Sequence, residues 1–313
     1  MSIDKKFENL FLNVTTRAAL SSYFLIGKKD KIAADKAAVD AMRNELNKIE
    51  MDGKIVIGEG ELDEAPMLYI GENVGTKNGP ALDIAVDPLE GTNFVANNLP
   101  GALSVIAIAN KSNLFGAPET YMNKISANCS DSDVIDLDFS VKKNIYNLAE
   151  FKNLKPENLT ACVLDRPRHK EIINELKKLN VKLKLLSDGD VAGAIMVVDK
   201  KYSVDIFLGT GGGPEGVLAA TALDAYNCHF QGRFIFNTNK EKERAIKMGI
   251  TDLKKKYELN EIISGDSIFC ATGITSGDLV SGVQINKNKF ISETLITHKS
   301  SGLKKIIKIE QII

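Results

Sequence analysis

From Thr160 onward the chain alternates short β-rich runs with helical ones, and this alternation constrains the fold more than any other feature. Runs at 160–164, 181–186 and 203–208 read as strands, followed by helical patterns at 168–179, 190–198 and 214–226. Strands interleaved with helices in this way build α/β layers. The loops that follow the strands share one edge of such a sheet, where ligands bind. Here each loop is chemically loaded: Asp165-Arg166-Pro167-Arg168-His169, then Ser187-Asp188-Gly189-Asp190, then Gly209-Thr210-Gly211-Gly212-Gly213-Pro214-Glu215-Gly216. Arg166 and Arg168 flank a proline at a helix head, where guanidinium forks beside free backbone N–H groups suit a phosphate dianion. A pair of surface arginines is the plain alternative. The glycine-rich turn presents amides at a helix start, with Pro214 read as the first helical residue. It lacks the Gly-Lys-Ser/Thr ending of a nucleotide loop, which disfavours ATP and GTP. Glu215 either compensates the helix dipole or supplies a metal ligand.

The first half carries a second loaded corner. Residues 81–93 begin as an apolar strand and end in Asp87-Pro88-Leu89-Glu90-Gly91-Thr92, two carboxylates and a hydroxyl on a turn stiffened by proline and glycine. Hard oxygen ligands on a stiff turn suit Mg²⁺ or Mn²⁺, although Asp and Pro are also ordinary turn residues. Upstream, the strand 54–57 runs into Gly58-Glu59-Gly60-Glu61, whose glycines allow Glu59 to point into a cavity. The segment 31–50 has a helical stripe of Val39, Met42, Leu46 and Ile49, and four residues before Val39 the stripe lands on Asp35. Taken alone, Asp35 is a helix-start acid that favours the dipole. If Asp35, Glu59, Asp87, Glu90 and Glu215 converge, each unit pair at about 4 Å costs on the order of 4 kcal/mol at an effective dielectric of 20. Divalent cations relieve that repulsion, and two of them roughly 3.5–4 Å apart can stabilise a phosphoryl leaving oxygen.

Other properties set bounds. At 313 residues and 44% hydrophobic content, one large or two packed domains are expected. The polar stretch 153–159, with Pro156, places the boundary: 1–155 as an N-terminal α+β metal-binding domain and 156–313 as a C-terminal α/β substrate-binding domain. The net charge of −1, without a basic stripe, argues against a nucleic-acid partner. No apolar run nears the roughly 20 residues of a membrane span. The charged N-terminus is no secretory signal, so a cytoplasmic location is expected. Cys129, Cys162, Cys228 and Cys270 form no CxxC pair and read as reduced packing residues. His169 reads as helix-start surface, and His229 and His298 as strand or turn residues, too scattered for zinc or a catalytic triad. Residues 111–151 show no firm periodicity, and 267–313 read as strands and turns.

Together the runs Gly58 to Met67, Asp87-Pro88-Leu89-Glu90-Gly91-Thr92, Arg166-Pro167-Arg168, Asp188-Gly189-Asp190 and Gly211 to Gly216 resemble the class II fructose-1,6-bisphosphatases of the GlpX type, in the family's order and spacing. The resemblance implies the sugar-phosphatase fold of the lithium-sensitive superfamily, a layered α-β-α-β-α sandwich of two domains with the active site between them. It implies Asp35 and Glu59 as ligands of one metal, and Asp87, Glu90 and Glu215 as ligands of another, Mn²⁺ or Mg²⁺. It implies substrate contacts from Glu90, Gly91, Thr92, Tyr121, Arg166, Pro167, Arg168, Asp188, Gly189, Asp190 and Gly212. Thr92 matches the threonine that helps activate the attacking water, and Glu59 is assigned a catalytic part beside it. The implied reaction is hydrolysis of the 1-phosphate of D-fructose 1,6-bisphosphate, by a homo-oligomer. A sedoheptulose 1,7-bisphosphatase or dual bisphosphatase, and a non-catalytic sugar-phosphate sensor, are the alternatives.

Overall fold

A computed structural model describes residues 2–58, 68–129, 131 and 133–313. Residues 59–67, including the proposed ligand Glu59, lie outside the described residues. In chain order the chain begins with α1 (Lys6–Tyr23), α2 (Lys31–Leu46), β1 (Asp52–Ile57), β2 (Asn73–Val74), β3 (Ala81–Glu90), α3 (Thr92–Asn97) and β4 (Leu103–Asn110). It continues through β5 (Tyr121–Ala127), α4 (Val141–Phe151), β6 (Thr160–Leu164), α5 (Lys170–Lys178), β7 (Lys182–Leu186) and α6 (Asp190–Ile195). Next come β8 (Ile206–Gly212), α7 (Gly213–Tyr226), β9 (His229–Ile235), α8 (Asn239–Lys247), β10 (Tyr257–Glu258) and α9 (Leu259–Ile262). The chain closes with β11 (Ser267–Gly273), β12 (Gln284–Asn286), β13 (Lys289–His298) and β14 (Leu303–Ile312).

The chain divides into two compact units, Met1–Phe115 with Ile263–Ile313, and Gly116–Ile262. This corrects the boundary drawn between 155 and 156. The cause is strand pairing: β11 lies antiparallel along β4 from Ser267↔Ala109 to Gly273↔Leu103, so the last fifty or so residues complete the sheet that the first hundred begin. Both strands are nearly continuous apolar runs, buried from Leu103 to Ala109 and from Ser267 to Gly273, as central strands covered on both faces require. Within this unit the strand order is β12-β13-β11-β4-β3-β1-β2, with β14 beside β13. Helix α1 buries Phe7, Phe11, Val14 and Ala18 at helical spacing and packs on α2, β3, β4 and β11. The start of α2 is capped by Asp30, whose side chain accepts the Ala33 N–H at 2.9 Å. Its predicted stripe is buried: Val39, Met42 and Leu46 in the helix and Ile49 just past it.

The second unit has the strand order β10-β9-β5-β8-β6-β7, with β6 parallel to β7 and β8 and with β5 antiparallel to β8 and β9. The two-sheet α/β class expected from the sequence therefore holds, and the β6-α5-β7-α6 alternation sits where it was read. Two details differ. Strand β8 runs through Gly212, so Gly209 to Gly212 are extended, the helix opens at Gly213, and Pro214 stands one residue inside it. Residues 111–151, silent as a pattern, contain β5 and α4. The β5 sequence interrupts its apolar positions with Asn123, Lys124 and Ser126, and two of these, Lys124 and Ser126, are nonetheless buried. The four cysteines are buried thiols, none of them in a disulfide. Among the described residues no helix is long and apolar enough to cross a membrane.

Candidate active site

In the first unit the site is made by an irregularity in β3. Residues three apart on a regular strand point to opposite faces. The register of β3 against β4 shifts between Asp87, which faces Val105, and Glu90, which faces Leu103: three steps on one strand answer two on the other. That extra residue is a β-bulge, which re-aims a side chain. Asp87 and Glu90 consequently offer carboxylate oxygens within 4.8 Å of one another. The Pro88-Leu89 pair forms the bulge, and Asp87 Oδ1 accepts the Leu89 N–H at 3.1 Å to hold it closed. Gly91 follows with φ 84°, a left-handed conformation open to glycine, and a Cβ there would stand 2.8 Å from the Phe94 ring. This kink starts α3 with Thr92 as its first residue.

Asp35 is the fifth residue of α2, past the first turn, where no acidic residue stands. The dipole reading of Asp35 therefore weakens. Burial first, and then the negative charge of Asp87, push its carboxyl up to about 6. A carboxylate facing another carboxylate in partial desolvation is a place where a cation is favoured, and the donors are all hard oxygens. The residues present in this unit thus fit Mg²⁺ or Mn²⁺.

In the second unit the sequence-predicted residues gather at the ends of β5, β6, β7 and β8. Tyr121 opens β5, half exposed, and the Arg168 guanidinium lies 5.0 Å from the centre of its ring. Arg168 Nε also donates to the Thr210 carbonyl at 2.9 Å. Arg166 stands 3.4 Å from Asp188, both partly open to water. Gly189, at φ 83°, turns the chain into α6, and Asp190 heads that helix, buried against Lys124. Gly212 ends β8, paired with Tyr121, and Glu215 lies in the first turn of α7.

His169 is not surface. It is fully buried: Nδ1 lies 2.7 Å from the Leu164 carbonyl, and Nε2 accepts the Thr210 N–H at 2.7 Å. A backbone N–H can only donate, so Nε2 carries no proton and Nδ1–H donates to Leu164, a neutral ring in one tautomer. Burial, opposed by those two backbone bonds, holds its pKa below the ordinary histidine value. Arg168 and His169 together grip both backbone groups of Thr210, and the Thr210 hydroxyl donates to Asn123 at 2.7 Å. The sequence reading missed His169 in this part. The available signal was Pro167, which begins a short 3₁₀ turn and leaves His169 at its inner end.

Residues 5–311 match the family described as bacterial fructose-1,6-bisphosphatase, glpX-encoded. A relative from Prochlorococcus marinus (strain MIT 9515), named D-fructose 1,6-bisphosphatase class 2/sedoheptulose 1,7-bisphosphatase, is 44% identical over 299 residues, 91% of this chain and 90% of its own. A relative of the same name from Synechococcus sp. (strain CC9902) is 40% identical over 331 residues, 97% of this chain and 99% of its own. Among solved structures, the inositol monophosphatase from Anabaena (Nostoc) sp. PCC 7120 overlaps 62% of this chain and 71% of its own at 12% identity with a TM-score of 0.32, too low to add to the argument.

Proposed function

This chain belongs to the glpX-type bacterial fructose-1,6-bisphosphatase family, and from that premise we propose that it hydrolyses the 1-phosphate of D-fructose 1,6-bisphosphate to fructose 6-phosphate and phosphate. The observation that supports this most is the β3 bulge, which brings Asp87 and Glu90 to one side of the strand immediately before Thr92. Asp35, Asp87 and Glu90, with Glu59 and Glu215, would hold Mn²⁺ or Mg²⁺. Such cations, when bound, would offset charge on the scissile phosphoryl group and acidify a water. Thr92 orients the attacking water through its hydroxyl, in line with the departing sugar oxygen. Arg166 and Arg168 bind the distal phosphate through charge-assisted hydrogen bonds. Asp188 accepts from sugar hydroxyls, with Asp190 and the Gly212 backbone beside it, and Tyr121 walls the pocket.

The double name of the relatives favours a second substrate, sedoheptulose 1,7-bisphosphate, on the same residues. The test is phosphate release by the purified chain on both bisphosphates and on inositol 1-phosphate, with Mn²⁺, with Mg²⁺ and with chelator. The expected result is metal-dependent release from fructose 1,6-bisphosphate and little from inositol 1-phosphate. Tight sugar-phosphate binding without release under any metal would make the chain a sensor and end this reading.

A further inference from the structure

The second unit contains a charge that no part of the mechanism above uses. Lys124 lies in the middle of β5 and is 1% exposed, although lysine is almost never fully buried without a partner. The fold is shaped to admit it. Its cross-strand neighbours are Gly209 on β8 and Gly232 on β9, so neither flanking strand raises a side chain opposite it. A Cβ at Gly211 would sit 3.1 Å from its ammonium, and one at Gly216 would sit 3.2 Å from Cδ. Gly211 on β8 and Gly216 on α7 thus border the space that the lysine fills.

The ammonium uses that position to join two groups. It donates to Asp190 Oδ2 at the head of α6 and to the Gly212 carbonyl, at 2.6 Å, at the end of β8. Asp190 is 6% exposed and stands just past the left-handed Gly189. Gly212 pairs with Tyr121 and precedes the helix that carries Glu215. Three elements bearing residues read as sugar-phosphate contacts are therefore tied to one nitrogen. A buried ion pair is weak evidence of stabilisation, because well-packed apolar residues often serve stability as well or better. What the pair supplies is a single arrangement of fixed length and direction.

We propose that Lys124 is a positioning residue of the substrate pocket, holding Asp190 and the Gly212 backbone in the geometry that recognises the sugar phosphate. This rests on the bisphosphatase reading above. The test compares the parent, Lys124→Met, Asp190→Asn and the charge-balanced double variant Lys124→Met/Asp190→Asn, in steady-state kinetics on fructose 1,6-bisphosphate with Mn²⁺ and in thermal melts. Lys124→Met is expected to raise KM at least about tenfold with a smaller change in kcat. The double variant is expected to lie within about threefold of the worse single variant, because two residues acting through one contact are not additive. If Lys124→Met does not fold, Lys124→Gln carries the test: a raised KM in the folded protein supports the proposal, and a parental KM overturns it. A Lys124→Met protein that loses thermal stability yet keeps the parental KM makes the lysine structural and overturns the proposal. Effects that multiply in the double variant overturn it as well. A parent inactive on every bisphosphate refutes the bisphosphatase reading instead, and an active parent with an unaltered Lys124 variant refutes only this one.

Discussion

In the first unit Asp35 faces the carboxylate of Asp87; in the second Asp188 and Asp190 face cations. Asp35 is held up at about 6 by burial and by Asp87, whereas Asp190 meets Lys124 and Asp188 meets Arg166. The difference separates two kinds of preparation. Asp188 and Asp190 have cationic partners within the second unit, which suits the sugar-phosphate recognition proposed for them. The raised carboxyl of Asp35 marks repulsion in the first unit, which a bound divalent cation would relieve. Under the proposed function, sugar-phosphate recognition at Asp188 and Asp190 and ion-dependent chemistry at Asp35 and Asp87 would fall to different parts of one chain.

The comparison can be broken in four ways. The largest effect is expected from Thr92→Ala: kcat should fall by about 10²–10⁴ with KM nearly unchanged, in saturation kinetics with Mn²⁺. Near-parental turnover would take Thr92 out of the reaction. Arg168→Ala should raise KM for the bisphosphate by roughly 10- to 100-fold, the weight of a charged hydrogen bond, and alter kcat less. If KM holds, the distal phosphate is bound elsewhere.

The third concerns stability. Asp35→Asn should stabilise the metal-free protein at pH 7.5 while weakening its response to Mn²⁺. The rise from 3.8 to about 6 corresponds to at most about 3 kcal/mol, which solvent screening of a half-exposed carboxyl cuts to roughly 1–2 kcal/mol. Because the folded value is raised, parental stability is full below 3.8 and is lost as pH rises through about 6, so the gain should vanish near pH 4. Urea midpoints in chelator measure this, and an equal gain at both pH values would deny the repulsion.

The smallest effect has the opposite sign. His169 has a lowered folded pKa, so its contribution is full above the ordinary histidine value of about 6.5 and is lost as pH falls through the folded value. Acidification should therefore loosen the second unit while it relaxes the first. Histidine-to-glutamine substitution at 169 should flatten the acid limb of the urea midpoint, and an unchanged limb would show the ring is not what titrates.

Much of this was legible in the residues. The β6-α5-β7-α6 alternation, the acid-rich corner at Asp87 and the apolar stripe of α2 are local patterns with a period, and each stands where it was read. Four features were not legible. The bulge at Pro88-Leu89 looked like a turn, because proline and glycine signal a break without saying whether pairing resumes beyond it. Strand β5 was silent, because Asn123 and Lys124 spoil the hydrophobic pattern that marks a buried strand. His169 was placed at the surface, because a histidine beside arginines at a helix head carries no local sign of burial. The unit boundary was misplaced, since the partner of β4 lies more than 150 residues downstream at β11.

Residue order alone thus determined which chemical groups stand at which turns, because glycine, proline and the apolar periods act on their immediate neighbours. Tertiary structure alone decided that β11 closes the sheet begun by β4, that an extra residue turns Glu90 to the side of Asp87, and that a lysine lies inside β5 against Asp190. Those outcomes depend on cross-strand register and on burial, which are set by contacts between distant segments and leave no periodic trace along the chain.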